Sequence, residues 1–102
     1  MNPAAATNFG SLPLHDAILK ELRVDWSART CVAEIDAFVD RKKDAQPRKL
    51  VWQKVSKISV PHEEPWGPSV FINAVRQEEN CYIVEMQSGD QLRIHAEAFE
   101  FL

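Results

Sequence analysis

Hydrophobic and polar residues alternate through most of the chain after residue 20, and a repeat of two residues predicts β-strands. In "ELRVDW" the apolar residues Leu22, Val24 and Trp26 share one side of such a strand. The segment 30–39, "TCVAEIDAFV", alternates in the same way, although its content of Ala and Glu leaves a helix as the alternative. We interpret it as a strand because the short link to the preceding strand favours a hairpin.

The second half of the chain repeats this pattern. The stretch 49–61 changes its alternation at Ser56, which predicts either two strands or one kinked strand. Gly89 in "QSGD" can take a positive φ without steric cost, so a hairpin turn is predicted there. The polar stretch 39–49 is interpreted as a solvated loop. Further strands are predicted over residues 69–75, 81–86, 91–96 and 97–102.

These elements predict a mostly β protein, a small antiparallel β-barrel or sandwich of about seven or eight strands. A short helical turn is expected over residues 14–19, and an α+β fold is the alternative. Residues 1–13 contain Pro3, Gly10 and Pro13 and are predicted to form a flexible tail. Residues 14–102 form the single predicted domain.

Composition restricts the classes of function. The chain has 102 residues, a net charge of −3 and 45% hydrophobic residues, which fits one globular domain. Its basic residues are mixed with acidic ones, so we expect no nucleic-acid binding. No stretch resembles a signal peptide or a membrane span, and we therefore expect a cytoplasmic protein that does not bind membranes. Cys31 and Cys81 are then expected to be free, buried thiols.

The titratable residues give no clear catalytic arrangement. The three histidines, His15, His62 and His95, stand at no interval typical of metal ligands, so no metal or other cofactor is predicted. His15 and Asp16 could form an acid–base couple, since a carboxylate raises the basicity of imidazole. Glu34 and Asp36 share one strand face and are interpreted as solvent-exposed acids. No catalytic residue is predicted, and an enzyme remains an open alternative.

The segment 62–69, "HEEPWGPS", is the most distinctive loop, and we call it the proline corner. Its prolines fix φ and order the loop in advance, which reduces the entropy lost on binding. Tryptophan is enriched at interface hot spots, so Trp66 is a candidate contact, with His62, Glu63 and Glu64 beside it. The alternative is that Trp66 folds back and plugs one end of a barrel. Trp26 and Trp52 are expected in the core.

Four motifs resemble a family of small, uncharacterised bacterial proteins. They are "LHDAILKELRVDW" near the start, L-x-W-x-x-V-x-x-I-x-V-P at 50–61, "PWGPS" followed by x-x-I-N at 65–73, and M-Q-S-G-D-x-L-x-I-x-A at 86–96. The motif residues also resemble, at greater distance, β-rich families associated with bacterial toxin–immunity loci. The resemblance implies a bacterial cytoplasmic protein without an assigned enzymatic activity.

Three functional hypotheses follow. The first is a non-catalytic protein-interaction module, possibly of immunity type, that contacts a partner through the proline corner and nearby strand faces. The second is a small-ligand binder or enzyme with a pocket at one end of the barrel, lined by His15, Asp16 and His62. The third is a self-association domain whose exposed strand edges pair into a homo-oligomer.

Overall fold

The computed structural model describes residues 8–39 and 42–102. One 3₁₀ helix and eight strands make up its regular structure. Their bounds are Phe9–Ser11 for the 3₁₀ helix, then β1 Ile18–Asp25, β2 Thr30–Ala37, β3 Gln46–Gln53, β4 Lys57–Ser59, β5 Ile72–Glu78, β6 Cys81–Met86, β7 Gln91–His95 and β8 Ala98–Phe101. No helix in the described part of the chain is long and apolar enough to cross a membrane.

The strands form two antiparallel sheets of four strands each, with the orders β1-β2-β3-β8 and β4-β7-β6-β5. The prediction of a mostly β, antiparallel protein is therefore confirmed. The inward faces of both sheets share one hydrophobic core. An isolated antiparallel bridge between Ile18 and Phe71 joins the first sheet to the start of β5.

Period-two patterning predicts β2 and the β3–β4 break correctly. In β2 the four residues on the predicted inward side, Cys31, Ala33, Ile35 and Ala37, are all buried. The helical alternative for this segment is wrong, because its apolar residues have to face one sheet surface along its whole length. The chain kinks between β3 and β4, where Lys54 has a φ of 54° and Ser56 donates its backbone N–H to His95.

Several strand bounds differ from the prediction, and β5 spans Ile72–Glu78 where the pattern predicts residues 69–75. β3 begins at Gln46 inside the predicted loop, so Pro47 lies in a strand. Proline is tolerated there because β8 pairs with β3 only from Leu50 onward, which leaves Pro47 with β2 as its one partner strand. In β5 a register shift between Ile72 and Ala74 breaks the predicted alternation. Residues 40 and 41 of the predicted loop lie outside the described residues.

The expected N-terminal helix is wrong. The residues at 15 and 16 form a turn, in which Asp16 has a φ of 66°, and β1 begins at Ile18. Leu14 and Ala17 are buried on either side of this turn, so the chain folds back here and does not present a helix face. The predicted tail is also wrong for residues 8–13, because Phe9 in the 3₁₀ helix is fully buried. Residues 1–7 lie outside the described residues.

Phe9 closes one side of the core, which we call the closed side. Its ring makes edge contacts with Trp52 and Phe99 of the first sheet and with Tyr82 of the second, with centroids 5.2–6.1 Å apart. The 3₁₀ helix packs beside β5, at the edge of the second sheet. A segment outside the sheets therefore seals the space between them.

The tryptophans divide between core and surface. Trp52 is fully buried, as predicted. The prediction of a core position for Trp26 is wrong, because its side chain is 90% exposed. β1 ends at Asp25, so Trp26 lies in the hairpin turn, where alternation along the strand no longer directs a side chain to the core.

Candidate binding site between two sheet edges

A groove runs between β1 and the segment 55–62, and we call it the open seam. β1 and β4 are edge strands of different sheets. Residues 24–30 and 55–58 enclose a cavity of about 360 Å³ at one end of the groove. Residues 19–22 and 60–62 line a second cavity of about 200 Å³ further along the same two edges. In the part of the chain that the structure describes, no element covers the two facing edges along this groove.

Two valines that line the open seam are half-exposed. Val24 pairs with the buried Cys31 and shares its sheet face, yet it is 48% exposed. Val60, one residue past the end of β4, lines the second cavity and is 49% exposed. An inward side chain of a β-sheet normally lies in the core, so the exposure of Val24 marks a side of the core that is not closed. The seam also holds Trp26 and Val70, and thus four of the eight large hydrophobic side chains that are exposed in the described residues.

The backbone along the open seam is also unpaired. Leu19 donates its N–H to Val70 at 2.9 Å, which continues the bridge at the start of β1. Beyond it, in the described residues, the segment 20–25 makes no backbone hydrogen bond to any element other than β2. Among the described strands, β4 pairs only with β7. Unpaired N–H and C=O groups of edge strands are a template for another strand.

The β1–β2 hairpin turn forms one end of the seam and is held in place. Val55 donates its N–H to the carbonyl of Arg29 at 2.8 Å, which ties the turn to the link between β3 and β4. Arg29 has a φ of 57°. The Asp25 carboxylate accepts hydrogen bonds from Ala28 N–H at 3.0 Å and from the Ser27 hydroxyl at 3.2 Å. These contacts present Trp26 on an ordered turn.

The proline corner forms the other end, and the buried Asp90 holds it. The two carboxylate oxygens of Asp90 accept hydrogen bonds from the N–H groups of Glu63 and Glu64 and from the Ser88 hydroxyl, at 2.8–3.0 Å. Burial alone raises the pKa of Asp90, but the hydrogen bonds from Glu63, Ser88 and Glu64 together bring it below its usual value. Glu63 and Glu64 are thus held through their backbones.

Trp66 lies on the turn between β6 and β7 and not inside the molecule. The backbone N–H of Trp66 donates to the carbonyl of Ser88 at 2.9 Å. A Cβ placed on Gly89 would approach the Trp66 ring to 2.8 Å. Gly89 has a φ of 93°, as its predicted turn requires. The Trp66 side chain is 77% exposed, so the alternative of a barrel plug is wrong. The ring covers a glycine and leaves its other surface free.

The structure separates the residues of the predicted ligand pocket. His15 and Asp16 line a shallow cavity with Phe38, Phe71 and Gln87, where Gln87 Nε2 donates to Asp16 at 2.7 Å. His62 lines the open seam instead, and its side chain is 81% exposed. The prediction that His15, Asp16 and His62 share one pocket is therefore wrong. The turn at Asp16 directs the first pair to a different surface from the proline corner.

The two histidines of these regions each lie near one carboxylate of a neighbouring residue. His15 Nδ1 lies 2.8 Å from the carbonyl of Asn73, and its Nε2 lies 3.6 Å from Asp16. His62 Nε2 lies 3.7 Å from Glu64. Among residues 8–39 and 42–102, no three His, Cys, Asp or Glu side chains are grouped as a metal site would require. These contacts hold the loops in place.

Glu34 and Asp36 lie on one strand face, as the alternation predicts, and both bind cations of β1. Arg23 donates to Glu34 and lowers the pKa of that carboxyl. Lys20 Nζ lies 3.1 Å from Asp36. Both acids are partly shielded by these partners, so the expectation of freely solvated acids is only partly met.

Sequence reasoning missed the residues that make the open seam, namely Val24 and Val60 as exposed positions and Arg29 and Lys57 as its charged neighbours. Alternation assigns a side chain to the inward face of a strand, but it does not reveal which strands lie at sheet edges. The signal that was available is the shortness of the stretch between Ser56 and Pro61, which allows only a short β4.

Comparison with models of protein families, with curated proteins and with solved structures gives no match to this chain. The resemblance of its motifs to a family of bacterial proteins therefore stays a prediction. The structure brings parts of these motifs into contact. Gln87 donates a hydrogen bond to the Asp16 carboxylate, and the Trp66 ring covers Gly89. Three motifs that are far apart in sequence meet at one end of the molecule.

Proposed function

We propose that this domain is a non-catalytic protein-binding module that takes an extended segment of a partner polypeptide into the open seam. The half-exposure of Val24 and Val60, which line the groove beside unpaired strand edges, is the observation that carries the proposal. A bound strand would pair with β1, and every second side chain would enter the groove. Completing the burial of the two valines contributes about 1–2 kcal/mol to binding.

The proline corner supports this function through its ends. Pro61 and His62 precede Glu63 and line the seam on one side, and Ser69 and Val70 line it where the corner returns to the sheet. Asp90 fixes the corner between them, which limits the entropy lost when a partner binds. Trp66 extends the contact surface beyond the groove.

We also propose that the domain is a β-sandwich and that it lies in the cytoplasm. An open side between the sheets supports a sandwich in preference to a closed barrel. The free thiols of Cys31 and Cys81 fit a reducing compartment such as the cytoplasm. An immunity role would use the same seam to hold a toxin, and a test of protection against a neighbouring toxin would address it.

Selection of peptides tests the proposed function. Random displayed peptides of about eight residues, the length of an edge strand, are selected on the immobilised domain. We expect enriched peptides with apolar residues at alternate positions. Val24→Lys/Val60→Lys places two charges in the seam and should weaken their binding by about tenfold or more.

Leu102→Lys is the matched control, because Leu102 is 55% exposed and lines neither cavity of the seam. This variant should bind the selected peptides like the wild type. Circular dichroism of all three proteins checks that each is folded. Selection of no peptide, or of peptides that bind the Val24→Lys/Val60→Lys variant equally well, would overturn the proposal.

Self-association is the second candidate, and one observation favours it. Antiparallel pairing of two β1 edges about Leu22 places Glu21 of each copy opposite Arg23 of the other, and cross-strand pairs of opposite charge are stabilising. Sedimentation equilibrium should then show dimers that Arg23→Glu weakens and Glu21→Arg/Arg23→Glu restores. A wild-type monomer at high protein concentration would exclude this candidate.

A further inference from the structure

The basic side chains along the open seam differ in whether they have acidic partners. Towards the middle of β1, Lys20 lies 3.1 Å from Asp36. Arg23 donates to both Glu21 and Glu34. These cations are neutralised within the chain and have little attraction left for a partner.

The hairpin end of the seam has cations without such partners. Arg29 and Lys57 line the same cavity as Trp26, and no carboxylate in the described residues lies within ion-pair distance of either one. Asp25 also lines this cavity, but its carboxylate accepts the hydrogen bonds of the turn from Ala28 and Ser27. The cavity therefore combines the apolar side chains of Val24, Trp26 and Ile58 with a net positive rim.

The opposite end of the seam has the opposite balance. The carboxylate of Asp90 there accepts the hydrogen bonds of the corner, but Glu63 and Glu64, which follow His62, add two further negative charges. A bound segment thus meets positive charge beside Trp26 and negative charge beside the corner. Potentials that differ between the two ends fix the register and direction of a partner.

We infer that the hairpin end of the open seam is an anchor for an acidic side chain of the partner segment. An Asp or Glu at the end of the bound strand contacts Arg29 and Lys57, and the apolar residue beside it packs on Trp26. The partner is thus an extended segment of another protein, apolar at alternate positions and acidic at one end. This inference rests on the proposed function.

The peptides selected on the wild-type domain are the probes for this inference. We expect Asp or Glu to be enriched near one end of these peptides, and replacement of that acid by Lys to weaken binding about tenfold. Selection on the Arg29→Glu/Lys57→Glu variant should enrich Lys or Arg at the same end. The affinity of the acidic peptides for the wild type should fall as ionic strength rises from about 0.01 M to about 1 M.

Lys43→Glu is the control for net charge, because Lys43 is exposed and lines neither cavity of the seam. This variant should select acidic peptides like the wild type. Peptides that are sensitive to Val24→Lys/Val60→Lys but indifferent to charge at their ends would overturn the anchor and leave the proposed function standing. Selection of no seam-dependent peptide would instead remove the proposed function itself.

Discussion

The two sides on which the sheets meet differ in one respect, the presence of a covering segment. On the closed side, Phe9 of the 3₁₀ helix fills the space between Trp52, Phe99 and Tyr82 and is fully buried. On the open seam, Val24 faces inward but remains half-exposed, and Val60 beside β4 is half-exposed as well. Both sides are built from strands with the same alternation, so closure depends on a segment outside the sheets.

This difference separates residues that maintain the fold from residues that are available to a partner. A buried side chain has already contributed its transfer free energy to folding. A half-exposed inward side chain is still partly in contact with water, so its further burial can contribute to the binding of a partner. Substitutions on the two sides should therefore differ strongly in their effect on stability, and the following predictions use that contrast.

The largest effect is expected on the closed side. Phe9→Ala removes a fully buried ring and leaves a cavity between three aromatic neighbours, so the free energy of unfolding should fall by about 4 kcal/mol. Trp26→Ala deletes a larger side chain that is 90% exposed, and its effect should stay within about 0.5 kcal/mol. Urea unfolding measures both. Equal losses would mean that the two sides are not different.

Gly67 of the proline corner and Gly89 of the turn between β6 and β7 allow a comparison of two glycines. Both have a positive φ, 93° at Gly89 and 107° at Gly67, but only a Cβ at Gly89 meets Trp66 and Pro65, at 2.8 Å. Gly67→Ala should therefore cost about 1 kcal/mol from backbone strain, and Gly89→Ala should cost at least about 2 kcal/mol. Thermal unfolding compares the variants. A greater loss for Gly67→Ala would show that Trp66 does not rest on the turn.

Two inward valines sharpen the comparison within one residue type. Val84 on β6 is 3% exposed, and Val84→Thr would bury a hydroxyl, so we expect a loss of about 2 kcal/mol. Val24→Thr can hydrate its hydroxyl through the open seam and should change stability by less than about 0.5 kcal/mol. If Val24→Thr is as costly as Val84→Thr, the seam is closed in solution.

The smallest effect is local and depends on pH. The pKa of Asp90 is lower in the folded protein than in the unfolded chain, so its carboxylate stabilises the corner above its unfolded pKa of about 3.9. This contribution is lost as pH falls through the lower, folded pKa. Amide NMR signals of Glu63 and Glu64 should shift over that acid range.

Asp90→Asn tests the assignment of this titration. The amide retains hydrogen-bonding capacity but has no carboxyl proton to bind, so the acid transition at Glu63 and Glu64 should disappear. A transition that persists in the variant would point to another carboxyl group in the corner.

The sequence predicts which residues form strands, but it does not predict which strands lie next to one another in a sheet. Side chains in β2 alternate over eight residues, and such a pattern requires only that one sheet face be buried. Which strand becomes an edge depends on pairing between distant segments, and no local pattern contains that information. Trp26 illustrates the limit. By alternation it belongs on the same face as Val24, but it lies one residue past the end of β1, where alternation no longer directs a side chain.

The candidate site divides in the same way. The proline corner was predicted from its own composition, because prolines and a glycine restrict the backbone locally. The groove beside it was not predicted, since it arises where β1 of one sheet passes β4 of the other. Phe9 was placed in a tail for a related reason: a single aromatic between Asn8 and Gly10 has no periodic partner in sequence, although it finds three aromatic partners in space.

Backbone hydrogen exchange in the presence of a selected peptide tests the central claim most directly. If the partner strand pairs with the edge of β1, amides within residues 20–25 that face the seam should exchange at least about tenfold more slowly when the peptide is bound. Amides of β8, at the far edge of the same sheet, should exchange at unchanged rates. Protection confined to the proline corner, or none along β1, would contradict strand addition at the open seam.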